Sequence, residues 1–266
     1  MMLASPLLIA QITDTHLFAS GEGDLLGLRT EESLAAVIEE VQNLTPQPDR
    51  ILLTGDISQD ETLESYERLY KQLKTLNIPS YWIPGNHDQL HLMEKALTNP
   101  PFYGDKSFHC QGWQFILLNS AVSGRVYGYL TEETLSWLDS ELEKAKNYPT
   151  VVTLHHPPFL IDCDWIDKSC LQNPDALFKV LDQYSQVRLV LFGHIHQDWG
   201  RDRAGVHYLA SPSSSVQFKP KSKQFALDEN REPGFRLLWL YPDGSYETKV
   251  KRVEFSYSLD VAATGY

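Results

Sequence analysis

The feature that most constrains this chain is a pair of histidines at the end of an apolar run. Leu189-Val190-Leu191-Phe192 leads through Gly193 into His194-Ile195-His196. In extended backbone, residues i and i+2 point to one face, so both imidazoles can converge on one place. The arrangement recurs. The run Leu7 to Ile12 leads to Asp14 and His16, Ile51-Leu52-Leu53 to Asp56, Tyr81-Trp82-Ile83 to Asn86, His87 and Asp88, and Val151-Val152-Thr153-Leu154 to His155 and His156. Gly55, Gly85 and Gly193 stand immediately before the polar residue in three of these runs, where the backbone can turn sharply. Ligand sites in α/β proteins lie at the carboxyl ends of strands, so five such ends can pool their side chains.

The stretches between these runs read as helices. Thr30 to Leu44 carries Leu34, Val37, Ile38, Val41 and Leu44 at helical spacing before Pro46 and Pro48. A second helix, expected to be capped by Asp60, carries Leu63, Tyr66, Leu69, Leu73 and Leu76. A weaker one is expected near Leu90 to Leu97. Another starts at Thr131, and one runs from Asp175 to Tyr184 with Asn173 as N-cap and Pro174 at its first position. Trp113–Leu118, Val206–Leu209, Phe235–Tyr241 and Tyr246–Val253 are expected strands, while 162–172 and the Ser/Pro/Lys-rich 211–223 are expected loops. This βαβ alternation followed by further strands predicts an α/β fold, with a second sheet packed on the first. At 266 residues and with no linker or internal repeat, residues 1–266 are expected to form one domain.

A formal charge of −12 excludes a protein that grips nucleic acid by its backbone, and any anionic substrate needs positive charge supplied locally. Three cysteines in no metal-like spacing point to a reducing compartment. The first residues lack a basic stretch, and no apolar run approaches the roughly 20 residues of a membrane span. A cytoplasmic protein with no membrane partner is expected.

Asp14, His16, Asp56, Asn86, His155, His194 and His196 mix carboxylate, amide and imidazole without thiolate, a set suited to Mn²⁺, Fe or Zn²⁺. Seven donors exceed the needs of one ion and suffice for two if a carboxylate bridges. Two ions roughly 3.5–4 Å apart activate water and stabilise both oxygens of an in-line displacement at phosphorus. Phosphoester hydrolysis is the reaction this set implies.

Taken in order, Asp14-Thr15-His16, Gly55-Asp56, Gly85-Asn86-His87-Asp88, His155-His156-Pro157 and Gly193-His194-Ile195-His196 resemble the signature of the calcineurin-like metallophosphoesterases. The wording between the blocks is similar to the bacterial class III 3′,5′-cyclic AMP phosphodiesterases: Gln11 to Ala19, Trp165-Ile166-Asp167 with Leu171-Gln172-Asn173, Gly193 to Gln197, and Val216-Gln217-Phe218-Lys219-Pro220. The resemblance implies a four-layer α/β/β/α sandwich of two mixed sheets. It implies that Asp14, His16 and His196 hold one divalent ion, that Asn86, His155 and His194 hold a second, and that Asp56 bridges them, with Fe²⁺, Mn²⁺ or a similar metal. His87 is then the catalytic residue facing the phosphate, and His16, Asn86 and His196 also meet the substrate. The implied reaction is attack of a metal-bridged hydroxide on 3′,5′-cyclic AMP, releasing 5′-AMP.

One departure narrows the class. Protein serine/threonine phosphatases of the superfamily carry an Asp three residues after Gly-Asp and then Arg-Gly, whereas here Gly55-Asp56 runs into Ile57-Ser58-Gln59-Asp60. That departure also leaves His87 without an obvious acidic partner. Other residues have plain structural readings beside functional ones. Asp88 either orients His87 or caps, Asn173 caps, and His156 lies next to the site, facing the substrate or serving the fold. Trp165 either stacks on a purine or anchors a loop, and Lys219, Lys221 and Lys223 form a solvated run. A glycerophosphodiesterase or broad-range phosphodiesterase is the alternative within the enzymes, and a non-catalytic nucleotide- or metal-binding regulatory protein the alternative outside them. Oligomeric state, monomer or homodimer, is open.

Overall fold

The computed structural model describes residues 5–265. In chain order the elements are Leu7–Ile12 (β1), Asp24–Leu25 (β2), Leu28–Arg29 (β3), Thr30–Gln42 (α1), Arg50–Thr54 (β4), Leu63–Leu73 (α2), Ser80–Ile83 (β5) and Leu90–Ala96 (α3). Phe102–Tyr103 (β6), Ser107–Cys110 (β7), Trp113–Leu117 (β8), Glu132–Lys144 (α4), Thr150–Thr153 (β9) and Pro174–Leu181 (α5) follow. Val187–Phe192 (β10), Trp199–Arg203 (β11), Val206–Ala210 (β12), Gly234–Leu240 (β13) and Tyr246–Arg252 (β14) complete the chain.

Two six-stranded sheets result. The first has the order β14-β13-β1-β4-β5-β6, the second β11-β12-β10-β9-β8-β7. Each is mixed. β1, β4, β5 and β6 run parallel in the first, with β13 antiparallel to β1; β12, β10, β9 and β8 run parallel in the second, between antiparallel β11 and β7.

Strand alternation decides what lies on each face. Leu8, Ala10 and Ile12 of β1 pack with Leu34, Val37 and Val41 of α1 and Leu69 of α2, whereas Leu7 and Ile9 turn the other way. There they meet Phe115 and Leu117 of β8, Val151 of β9 and Leu189 and Leu191 of β10, so a second core lies between the sheets. The opposite residues of the second sheet, Ile116, Val152, Val190 and Phe192, pack against Leu138 and Leu142 of α4 and Leu177 and Leu181 of α5. Three apolar layers therefore separate four layers of secondary structure: helices, sheet, sheet, helices. That is the expected sandwich.

The helix ends differ in detail from expectation. Thr131 caps α4, accepting from Thr134 N. Thr62, and not Asp60, caps α2 by accepting from Ser65 N. Asp60 sits one step behind and accepts from Thr62 Oγ1 at 2.7 Å and Ala19 N at 2.7 Å. Asn173 occupies the N-cap position of α5 without capping it; its carboxamide instead pairs with both backbone groups of Leu130. The short strands β2, β3, β6, β7 and β11 were not expected.

Candidate metal centre

The parallel strands of both sheets end at one place. β1 delivers Asp14 and His16, β4 Asp56, β5 Asn86 and His87, β9 His155, and β10 His194 and His196. Asp14, His16, Asp56, His194 and His196 all have left-handed backbone, with φ between 47° and 69°. Non-glycine residues avoid this region, and five together mark turns that the surroundings enforce. Gly55 enforces one: at φ 98°, its missing Cβ is the space filled by the His155 ring. Gly85 likewise leaves room for the Asp56 carboxylate.

Six of the seven candidate donors converge. Asp14, His16 and His196 place one donor atom each within 4.8 Å of one another, and so do Asp14, Asp56 and His155, and His155, His156 and His194. His16 Nε2 lies 3.2 Å from His196 Nε2, and His194 Nδ1 lies 3.3 Å from His155 Nε2. Asn86 joins His87 and His194 on the wall of the adjoining cavity, and its Oδ1 is buried without a hydrogen-bond partner.

Hydrogen bonds on the far side of each ring assign the protons. His16 Nδ1 donates to Gln59 Oε1 at 2.6 Å, His155 Nδ1 to the Thr54 carbonyl at 2.7 Å and His196 Nδ1 to the Val216 carbonyl at 2.8 Å. Ser169 Oγ gives its own proton to the Ile166 carbonyl at 2.7 Å, so it accepts from His194 Nε2, also at 2.7 Å. The remaining nitrogen of each ring then faces the centre, where it can offer a lone pair to a metal, His155 by giving up the proton that Asp56 favours on its Nε2. Two lone pairs about 3 Å apart repel unless a cation lies between them. These residues fit metal ions.

The electrostatics agree. Burial, with the neighbouring His196, pulls His16 down to about 3, and burial with His156 holds His194 well below its usual value, so both rings are neutral as coordination requires. Burial also lowers His155, but the Asp56 carboxylate 3.1 Å from its Nε2 outweighs that and raises it to about 9. Burial alone would raise Asp56; the facing imidazoles of His155 and His87 hold it well below the carboxylate range. The pocket thus stabilises positive charge at one point and lone pairs around it.

His156 is different. Ser120 Oγ accepts from His155 N and His156 N, each at 3.3 Å, so its proton goes to His156 Nδ1 at 2.8 Å. Nε2 of His156 therefore carries hydrogen. His156 meets the distances for a metal group but presents a donor there, not a lone pair. Asp88 neither orients His87 nor caps a helix: it accepts from Ile57 N, Ser58 N and Gly85 N and staples the β4 and β5 loops together. His87 is tied to Asp56 through its backbone, His87 N to Asp56 Oδ1 at 2.9 Å, and its ring centroid is 5.1 Å from that of His16.

Sequence reasoning missed the supports. Ser213 Oγ and Ser215 Oγ both donate to the Asp14 carbonyl, at 2.7 and 3.1 Å, from buried positions in the segment expected to be a loop. Gln59, Ser120 and Ser169 carry no signal in a single sequence beyond their nearness to the blocks. Trp165 anchors on Phe218 and Phe225, at centroid distances of 4.9 and 5.0 Å. Lys219, Lys221 and Lys223 are exposed, and Lys223 borders the cavity.

Two sheets feeding oxygen and nitrogen donors to one point describe a class of metal-dependent phosphoesterases. Residues 7–198 match the family described as Calcineurin-like phosphoesterase, and the chain belongs to that family, whose members use divalent metals. Within it, the chain is 51% identical over 259 residues to a 3′,5′-cyclic-nucleotide phosphodiesterase of Nostoc sp., covering 97% of each. It is 40% identical to the 3′,5′-cyclic adenosine monophosphate phosphodiesterase CpdA of Pseudomonas aeruginosa, covering 98% of this chain and 95% of that one. Among solved structures, a dimetal phosphatase of Danio rerio shares the fold, with a TM-score of 0.70 at 14% identity over 97% of this chain and 100% of that one. No helix among the described residues is long and apolar enough to cross a membrane.

Proposed function

We propose that the protein is a two-metal phosphodiesterase that opens the 3′ ester bond of 3′,5′-cyclic AMP to give 5′-AMP. The observation that carries this is the set of four inward ring nitrogens, from His16, His155, His194 and His196, gathered with Asp14 and Asp56 and bordered by the unpartnered Oδ1 of Asn86. In this reading Asp14, His16 and His196 hold one ion, Asn86, His155 and His194 the other, and Asp56 reaches both. Bound Fe²⁺ or Mn²⁺ would supply Lewis acidity that activates water and neutralises phosphate charge.

The chain's own residues do the rest. Gln59, Thr54, Val216 and Ser169 lock the rings so that no reorganisation is needed during reaction. His16, Asn86 and His196 border the substrate, and the His87 imidazole protonates the departing 3′ oxygen. The substrate class rests on relatives of 51% and 40% identity that match nearly end to end. A cytoplasmic setting belongs to the same reading, since the three cysteines are free and buried, as suits a reducing compartment.

A second reading, a broader phosphodiesterase, has one observation in its favour. A second cavity, of about 720 Å³ and lined by Glu61, Glu94 and Arg125 but not by Trp165, also borders Asn86 and His87 and has room for a second substituent of a linear diester. Both readings are tested with protein stripped of metal and reloaded with Mn²⁺ or Fe²⁺. Preferred conversion of 3′,5′-cyclic AMP to 5′-AMP over 2′,3′-cyclic AMP, a glycerophosphodiester and an aryl diester is expected. Turnover of the linear diesters alone would transfer the assignment to the second reading, and no turnover with both ions bound would favour a binding protein.

A further inference from the structure

A cavity of about 680 Å³ opens beside the centre, lined by Asn86, His87 and His194 together with Trp165, Ile166 and Phe225. Its size is that of a small-molecule site. Part of its lining is polar and belongs to the metal centre; part is aromatic. Lys168 and Lys223 border it, placing two ammonium groups at the entrance in a chain whose formal charge is −12. Such a cavity suits a planar aromatic group that carries a phosphate.

The aromatic wall is built in place. Asp167 accepts from Ile161 N at 2.8 Å and Cys163 N at 3.1 Å, closing the turn that carries Trp165. Cys163 Sγ donates to the Ser222 carbonyl at 3.2 Å, joining that turn to the segment bearing Phe225. Three residues beyond Ile166, Ser169 accepts from His194, so wall and metal-facing ring are one connected unit. The Trp165 indole N–H is buried with no acceptor, and the ring is only half-buried. A tryptophan serving purely as an anchor usually has that N–H satisfied.

We propose that this cavity is the subsite for the purine base and that Trp165, with Phe225, selects a nucleotide over a phosphodiester that lacks a base. The inference rests on the phosphodiesterase reading and deepens it. Stacking of a base on an aromatic side chain contributes about 1–3 kcal/mol, or roughly a 5- to 150-fold preference.

The test compares 3′,5′-cyclic AMP with the same cyclic ribose phosphate bearing a methoxy group in place of adenine, on metal-loaded full-length protein. Wild type should favour the nucleotide in kcat/KM by roughly fivefold or more, chiefly through KM. Trp165→Ala should collapse that ratio toward one, and Trp165→Phe should retain most of it. An unchanged ratio in Trp165→Ala, whether both substrates fall together or neither does, overturns the proposal, because an anchor of the loop affects both alike. Calorimetric binding of 5′-AMP against ribose 5-phosphate gives the same comparison without turnover. If wild type hydrolyses neither cycle, the phosphodiesterase reading falls, and tighter binding of 5′-AMP that Trp165→Ala abolishes still supports the base subsite; equal binding of the two ligands overturns it.

Discussion

One outward hydrogen bond per ring decides which nitrogen of each imidazole faces the centre. For His194 the acceptor is a serine hydroxyl, the most easily removed of the four. Ser169→Ala should free the ring to rotate or change tautomer and weaken metal binding by roughly 10–100-fold, read by competition with a chelator. Unaltered affinity would show that packing alone orients His194. His87 has the opposite signature, since its ring borders the cavities and belongs to none of the three metal groups. His87→Ala should lower kcat by about 10²–10⁴ while metal content stays constant, and full activity would remove it from the chemistry.

At the scale of elements, the site was legible because strand ends are. An apolar run ending in Asp, Asn or His is visible in one sequence; β1, β4, β5, β9 and β10 all carry it, and in β4, β5 and β10 a glycine stands just before the polar residue. Less was legible where contacts cross the chain. Asn173 looks like a cap because it precedes Pro174, but Leu130, 43 residues away, captures its side chain. Ser213 to Ser215 read only as part of a loop, yet their hydroxyls donate to the Thr13 and Asp14 carbonyls inside the molecule. β6, of two residues, and β7 and β11, at the sheet edge, lack the buried periodicity that marks a strand.

Lys106, just before β7, bridges the sheets: its ammonium lies 3.3 Å from the centroid of the Trp82 ring and donates to the Trp82 carbonyl at 2.7 Å. Burial pulls its pKa down to about 8, against about 10.4 when unfolded. Between those values the unfolded chain binds the extra proton, so this lysine makes stability rise with pH across that window. Comparing urea midpoints at pH 7.5 and 9.5, Lys106→Met should show a smaller rise than wild type. Equal rises would mean that the ammonium is hydrated in the folded protein.

For the molecule as a whole, the centre exists only because two sheets meet. The first sheet brings Asp14, His16, Asp56 and Asn86, the second His155, His194 and His196, and neither half holds the set. The chain carries strong negative charge yet is proposed to act on an anion, so the ions supply the attraction as well as the chemistry. Asp56 joins the halves: its Oδ2 faces His155, and its Oδ1 accepts from His87 N. The most direct test is to load the purified protein with Mn²⁺, count the metal per chain and record its electron paramagnetic resonance. Two ions per chain with an exchange-coupled spectrum, both lost in Asp56→Ala, are the predicted result; a single ion, two uncoupled ions, or a variant that keeps both would contradict a centre bridged by Asp56.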